Sequence, residues 1–175
     1  MTMTGVACQR WRCAVLLTAS IAMLCPASAE QGYRQYRNWR FGVSADVPSD
    51  WKAGPEPENN DGLAFTSPEG AATITVSGIL NADNAPAVEV IADEQRAQDG
   101  ETVTYRKASA RQAVISGTRG KMIFYRKAIL SCNDQILNHL LIEYPLAQKQ
   151  AFDALVSHVA ASMRSSPGAQ IPKCS

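Results

Sequence analysis

The chain has 175 residues, with 17 basic and 16 acidic side chains and 46% hydrophobic residues. A balance this near neutrality gives no general electrostatic pull toward nucleic acid. The length suffices for one buried core.

Arg10 and Arg12 give the chain a positive start, and Cys13 to Leu24 forms an apolar run of 12 residues that Cys25-Pro26 breaks. Ala27-Ser28-Ala29 then supplies the small-x-small pattern that a signal peptidase accepts. A membrane-spanning helix needs roughly 20 apolar residues, so the run is too short for a retained anchor. A lipid-bearing Cys25 is disfavoured by the bulky Met23-Leu24 before it. Residues 1–29 are therefore expected to be a cleavable signal peptide, and residues 30–175 a single exported domain, in the periplasm or secreted, with no stable membrane insertion. That domain keeps 15 basic and 16 acidic residues, a net charge of −1, and two cysteines, Cys132 and Cys174. In an oxidising compartment two thiols suggest one disulfide, which would tie the C-terminal tail to a loop between strands; two unpaired thiols are the alternative. Closing a loop of that length would contribute roughly 3–5 kcal/mol if unstrained.

Glu30 to Asn38 reads as a polar, aromatic lead-in. Phe41, Val43, Ala45 and Val47 then alternate with small or polar residues as a half-buried strand would, ending at Pro48. Ser49 to Asp61 is a Pro-, Glu- and Asn-rich loop holding Trp51. Leu63 to Thr66, the turn Pro68-Glu69-Gly70 and the alternating run from Ala72 to Ser77 predict a hairpin. Asn84 is placed to cap a helix with Pro86 in its first turn and Val88, Ile91, Ala92 and Gln95 on one side, ending at Gly100. Strands are expected at Thr102 to Lys107, Gln112 to Ser116, Lys121 to Leu130 and Gln135 to Tyr144. The last two carry Met122-Ile123-Phe124-Tyr125 and Leu140-Leu141-Ile142, apolar on both faces, which requires cover on both sides. Pro145 opens a final helix whose stripe is Phe152, Leu155, Val156, Val159, Ala160 and Met163. Together these predict an α+β fold: a mainly antiparallel sheet of about six or seven strands flanked by helices.

Two stretches carry a family resemblance: Asn38-Trp39-Arg40-Phe41-Gly42-Val43-Ser44 with Val47-Pro48 and Trp51, and Asp61 to Gly70 continuing through Val76-Ser77-Gly78. With the later Phe124-Tyr125-Arg126 and Tyr144-Pro145, the mature chain resembles uncharacterised exported bacterial domains of the PsbP/Mog1-like superfamily. The resemblance implies a curved antiparallel sheet sandwiched by helices. It also implies a binding or assembly module, with no common reaction and no catalytic residues to carry over.

Motifs for chemistry are sparse. The cysteines and histidines lack the paired spacings of zinc or haem sites, and no Gly-x-Ser-x-Gly elbow or phosphate-binding glycine loop occurs, so neither a metal nor another cofactor is expected. Glu56, Glu58, Asn59, Asn60 and Asp61 gather oxygens beside Gly62 without EF-hand spacing; Asp-Gly before a strand is a turn signal. His158 lies off the helical stripe and reads as solvated. His139 and Glu143 share a strand face and are the weak candidates for acid–base catalysis in a small hydrolase or lyase. Tyr33, Tyr36 and Trp39 recur every third residue among Arg34, Arg37 and Arg40. Such a mixture suits an interaction surface. Tyr36, Arg37, Trp39, Arg40, Trp51 and Asp61 are thus the candidate binding residues, facing another envelope or extracellular protein. The favoured reading is a non-catalytic binding module; a small-ligand carrier with a cavity between sheet and helix is the further alternative.

Overall fold

The computed structural model describes residues 32–168. The expected signal peptide and Cys174 lie outside the described residues. In chain order the elements are β1 (Tyr33–Arg37), β2 (Val43–Pro48), β3 (Lys52–Ala53), β4 (Gly62–Thr66), β5 (Thr73–Leu80), α1 (Ala87–Glu94), β6 (Glu101–Ser109), β7 (Gln112–Arg119), β8 (Met122–Ser131), β9 (Ile136–Pro145), α2 (Lys149–Ser162) and β10 (Arg164–Ser165). A seven-stranded antiparallel sheet runs in the order β3-β4-β5-β9-β8-β7-β6, and a three-stranded one runs β1-β2-β10. The α+β expectation and the strand number hold.

Side-chain alternation divides the large sheet into two unequal faces. On one face Ile74, Val76, Ile123, Leu140 and Ile142 meet Val43, Ala45 and Val47 of β2 and Leu155, Val159 and Met163 from α2 and its end, forming the main core. On the other, Ala113, Ala128, Leu130 and Leu137 meet Ile91 of α1. The helix α2 carries its expected stripe, with Phe152 stacked on Tyr144 at 4.9 Å between ring centroids.

The structure corrects several expectations. The strand β2 is buried along nearly its whole length, because β1 and β10 flank it and α2 and the large sheet pack on it. The polar lead-in contains a true strand, β1. Its alternation is weak because it is an edge whose register is fixed by the ladder to β2, Tyr33 opposite Pro48 through Arg37 opposite Ser44. Asn84 does not cap α1. It sits at φ 51°, inside a turn closed by its N–H to the Asn81 carbonyl, and the helix starts after Pro86 with no side-chain cap. The helix also stops at Glu94 rather than reaching Gly100, and of its expected stripe only Ile91 is buried while Val88 projects into solvent. Two turns of helix cannot roof a sheet this wide, so cover on the α1 side is incomplete: Met122 and Leu141 are half-buried, whereas Phe124, Leu140 and Ile142 are buried as expected. Pro145 ends β9, and a short 3-10 turn, Leu146–Gln148, precedes α2.

The β8–β9 hairpin turns through Cys132, Asn133 and Asp134, all with positive φ (56°, 52° and 66°). Three consecutive left-handed residues carry strain, and neighbouring bonds hold them. Arg111 grips the Asp134 carboxylate through both oxygens, at 2.6 and 3.2 Å, and the Asn81 amide donates to the Asp134 carbonyl at 2.9 Å. Hydrogen bonding to the Arg111 guanidinium holds the Asp134 carboxyl below its ordinary range. A depressed carboxyl stabilises the fold fully above the ordinary carboxylate range, and the contribution is lost as pH falls through the lowered value. Asp134→Asn is therefore expected to lower the melting temperature at neutral pH by about 1–4 °C, as an exposed pair does. Wild type and variant should converge in strong acid, and a constant difference across a pH series of thermal melts would refute the assignment.

Candidate functional site

The turn between β1 and β2 presents a tryptophan on a braced support. Asn38 is buried and satisfies the turn from within: its Oδ1 accepts from the Phe41 N–H at 2.9 Å, and its Nδ2 donates to the Asn60 carbonyl at 3.0 Å. Gly42 has φ 72°, and a Cβ there would lie 1.8 Å from the Ser166 carbonyl oxygen, so only glycine fits. The Ser166 N–H in turn donates to the Gly42 carbonyl at 2.9 Å. On this support Trp39 stands 64% exposed. The Arg37 guanidinium lies 4.4 Å over its ring and donates to Ser166 Oγ at 3.2 Å. Arg40 covers the Phe41 ring and donates to the Asn59 carbonyl. Asn59 then donates to Asp61 Oδ2 at 2.8 Å, and the Asp61 carbonyl accepts from the Gly78 N–H at 2.8 Å. The turn and the 54–61 loop, far apart in sequence, thus form one continuous rim.

Arg37, Trp39, Arg40 and Asp61 belong to this rim. Tyr36 lies at its base, half-buried and edge-on to Phe65 at 5.3 Å between centroids, with burial raising its phenol above the ordinary value. Trp51 does not belong to it. It is 4% exposed and packs in the main core, its carbonyl accepting from Arg34 Nη2 at 2.9 Å. A lone tryptophan in a polar loop looks like a surface anchor in sequence, but the chain doubles back after Pro48, whose carbonyl accepts the Trp51 N–H at 3.2 Å.

His139 and Glu143 are not brought together. They share a face of β9, but four residues of strand separate them by about 13 Å, and each is engaged elsewhere. His139 Nε2 is 3.1 Å from Glu94 Oε1 on α1, and Glu143 pairs with Arg119. They act as struts between elements.

His158 is exposed, as its place off the helical stripe implied, and it also joins a small surface cluster with Tyr33 and Asp46. Its Nε2 is 3.0 Å from Asp46 Oδ2, and the Tyr33 ring stacks on it at 3.8 Å. No local spacing could have signalled this, because the three residues come from β1, β2 and α2. An open groove of about 700 Å³ lies between the end of β5 and α1, with Ile79, Leu80, Val90 and Leu137 in its lining beside Asp83, Glu89 and Glu94. Among the described residues no helix is long and apolar enough to cross a membrane.

No family model and no curated protein matches the chain. Solved structures do. Cyanobacterial PsbP (CyanoP) from Synechocystis sp. PCC 6803 is 11% identical, covers 81% of this chain and 97% of its own, and superposes with a TM-score of 0.54. The Saccharomyces cerevisiae Ran-binding protein Mog1p is 10% identical over 78% of this chain and 96% of its own, with a TM-score of 0.49. A structure from Bacteroides thetaiotaomicron is 16% identical over 79% of this chain and 50% of its own, with a TM-score of 0.47. At these identities the likeness is one of fold. The chain has the PsbP-like α+β sandwich that its resemblance to the PsbP/Mog1-like superfamily implied.

Proposed function

We propose that this protein is a non-catalytic binding or assembly module, exported by its N-terminal segment, which engages another envelope or extracellular protein through the Trp39 rim. The observation that supports the reading is a large aromatic side chain left in solvent on a closely hydrogen-bonded turn. Trp39 stands on a turn fixed by the buried Asn38 and Gly42, with an arginine stacked on its ring. Tryptophan and arginine dominate the energetics of protein interfaces, and a pre-ordered anchor loses little conformational freedom on binding. The candidate acid and base, by contrast, are about 13 Å apart and separately paired, which disfavours the hydrolase or lyase. A Cys132–Cys174 bridge belongs to the same exported reading.

The test is crosslinking and affinity capture from the native envelope. Trp39→Ala, at an exposed position, is expected to change stability by less than about 0.5 kcal/mol and to weaken partner binding at least tenfold. Capture of the same partner at undiminished affinity by a folded Trp39→Ala, Arg40→Ala double variant would remove this surface.

A further inference from the structure

We propose that the cleft between the C-terminal half of α2 and the β6-β7-β8 end of the large sheet binds a small soluble oxyanion, a phosphate or carboxylate, carried on a flat ring.

The site begins with one irregularity. Val103 pairs with Gly117, but a bulge at Thr104 places Tyr105, not Thr104, opposite Ser116. The extra residue reverses which side chains face which way along the rest of β6. Two cross-strand rows result on the α2 side: Tyr105, Ser116 and Tyr125, and beside it Lys107, Val114 and Lys127. Outer members of each row are two strand spacings apart, about 10 Å, so long side chains can converge above the middle strand. The helix packs on β2, β8 and β9 and stops short of the outer strands. What remains is a cleft of about 400 Å³, within the range of small-ligand sites.

Its chemistry is one-sided. The polar side chains in the lining are Tyr105, Lys107, Gln112, Tyr125, Lys127 and Ser157, and none is a carboxylate. Neither lysine joins any ion pair among the described residues. Lys127 is half-buried and donates to the Ala160 carbonyl at 2.8 Å, capping α2. That bond accounts for one of its three protons. Burial, and then the nearby Arg164 cation, hold its ammonium below the ordinary lysine value. A partly desolvated cation beside another cation is unfavourable without a counter-charge. An oxyanion spanning Lys107 and Lys127 supplies one. Burial raises the Tyr125 phenol, with Tyr105 adding to it, so the ring stays neutral and its O–H remains a donor at physiological pH. The two phenol rings, in one cross-strand row of the lining, offer aromatic surface to a ligand's ring.

The experiment is a titration by NMR of the protein purified as its cells process it, using inorganic phosphate and phenyl phosphate at constant ionic strength against chloride. Saturable shifts are expected at Gln112, Ser116 and Ala161, with phenyl phosphate binding at least threefold tighter than phosphate. Lys107→Met, at an exposed position away from the α2 cap, should weaken both at least fivefold, and Tyr105→Ala should abolish the preference for the ring. Shifts that merely track chloride, or that persist unchanged in folded Lys107→Met, would overturn the proposal. So would co-sedimentation with phosphatidylglycerol vesicles that Lys107→Met abolishes, since the anion would then be a membrane's.

Discussion

Arg126→Leu is expected to destabilise the protein by about 3–5 kcal/mol, measured as a fall in the urea midpoint at unchanged slope. Arg126 on β8 pairs with Glu101 at the start of β6, at 3.1 and 3.2 Å, and the side chains are only 15% and 1% exposed. The same guanidinium donates to the Arg96 carbonyl beyond α1 at 3.0 Å and lies over the Phe124 ring. It therefore clamps three segments on the face that α1 leaves open. Without it a buried carboxylate loses its counter-charge, and that uncompensated charge, more than the lost attraction, causes the damage. The test is a double-mutant cycle. Arg126→Leu combined with Glu101→Leu should recover most of the stability, because an apolar pair leaves no charge behind. Simple additivity of the two losses would show that the pair is not the unit supposed.

Gly117→Ala should cost about 3 kcal/mol or more, although it adds a single methyl group to a strand. A Cβ at this position would sit 2.0 Å from the Thr102 carbonyl oxygen and 2.8 Å from Val103 Cα. Those are backbone atoms of β6, which cannot swing aside as a side-chain tip would. The first half of β6 curls over Gly117 toward the α1 side, and this curl accompanies Glu101's approach to Arg126. Alanine would push that half of the strand away. Amide exchange should accelerate from Glu101 to Tyr105 while the β5-β9-β8 centre stays protected. A variant with wild-type stability and exchange would contradict the close approach.

The parts legible in the sequence are those where local chemistry and long-range packing agree. The β4–β5 hairpin followed from alternation around Pro68-Glu69-Gly70, and α2 from an unbroken apolar stripe. Of the two apolar segments, Leu140-Leu141-Ile142 occupies the middle strand of the large sheet and Met122 to Tyr125 the strand beside it. Where the two disagree, the sequence misleads. Tyr33 to Arg37 has too little alternation to announce a strand, and β10 spans only two residues; both exist because β2 offers them a ladder. Trp51 reads as a surface residue until the turn after Pro48 carries it into the core. At the candidate site the rhythm of aromatics and arginines was visible, and so was the adjacent Asn59 to Asp61. Their junction was not, because it runs through Asn38, a polar residue whose burial no local pattern encodes. The second cleft was hidden for a similar reason: the facing of Tyr105 and Lys107 depends on one unpaired residue, Thr104.

The kink at Thr104 also bears on how copies of the chain behave when crowded. The rims of an open sheet can template a strand from another molecule and so seed fibrils. Here one rim, β3, is two residues long, and the other is bent at its bulge and carries Arg106 and Lys107. Neither gives a foreign strand a straight, uncharged run on which to dock, and β1, the edge of the small sheet, carries Arg34 and Arg37, so the open rims of both sheets are guarded against backbone polymerisation.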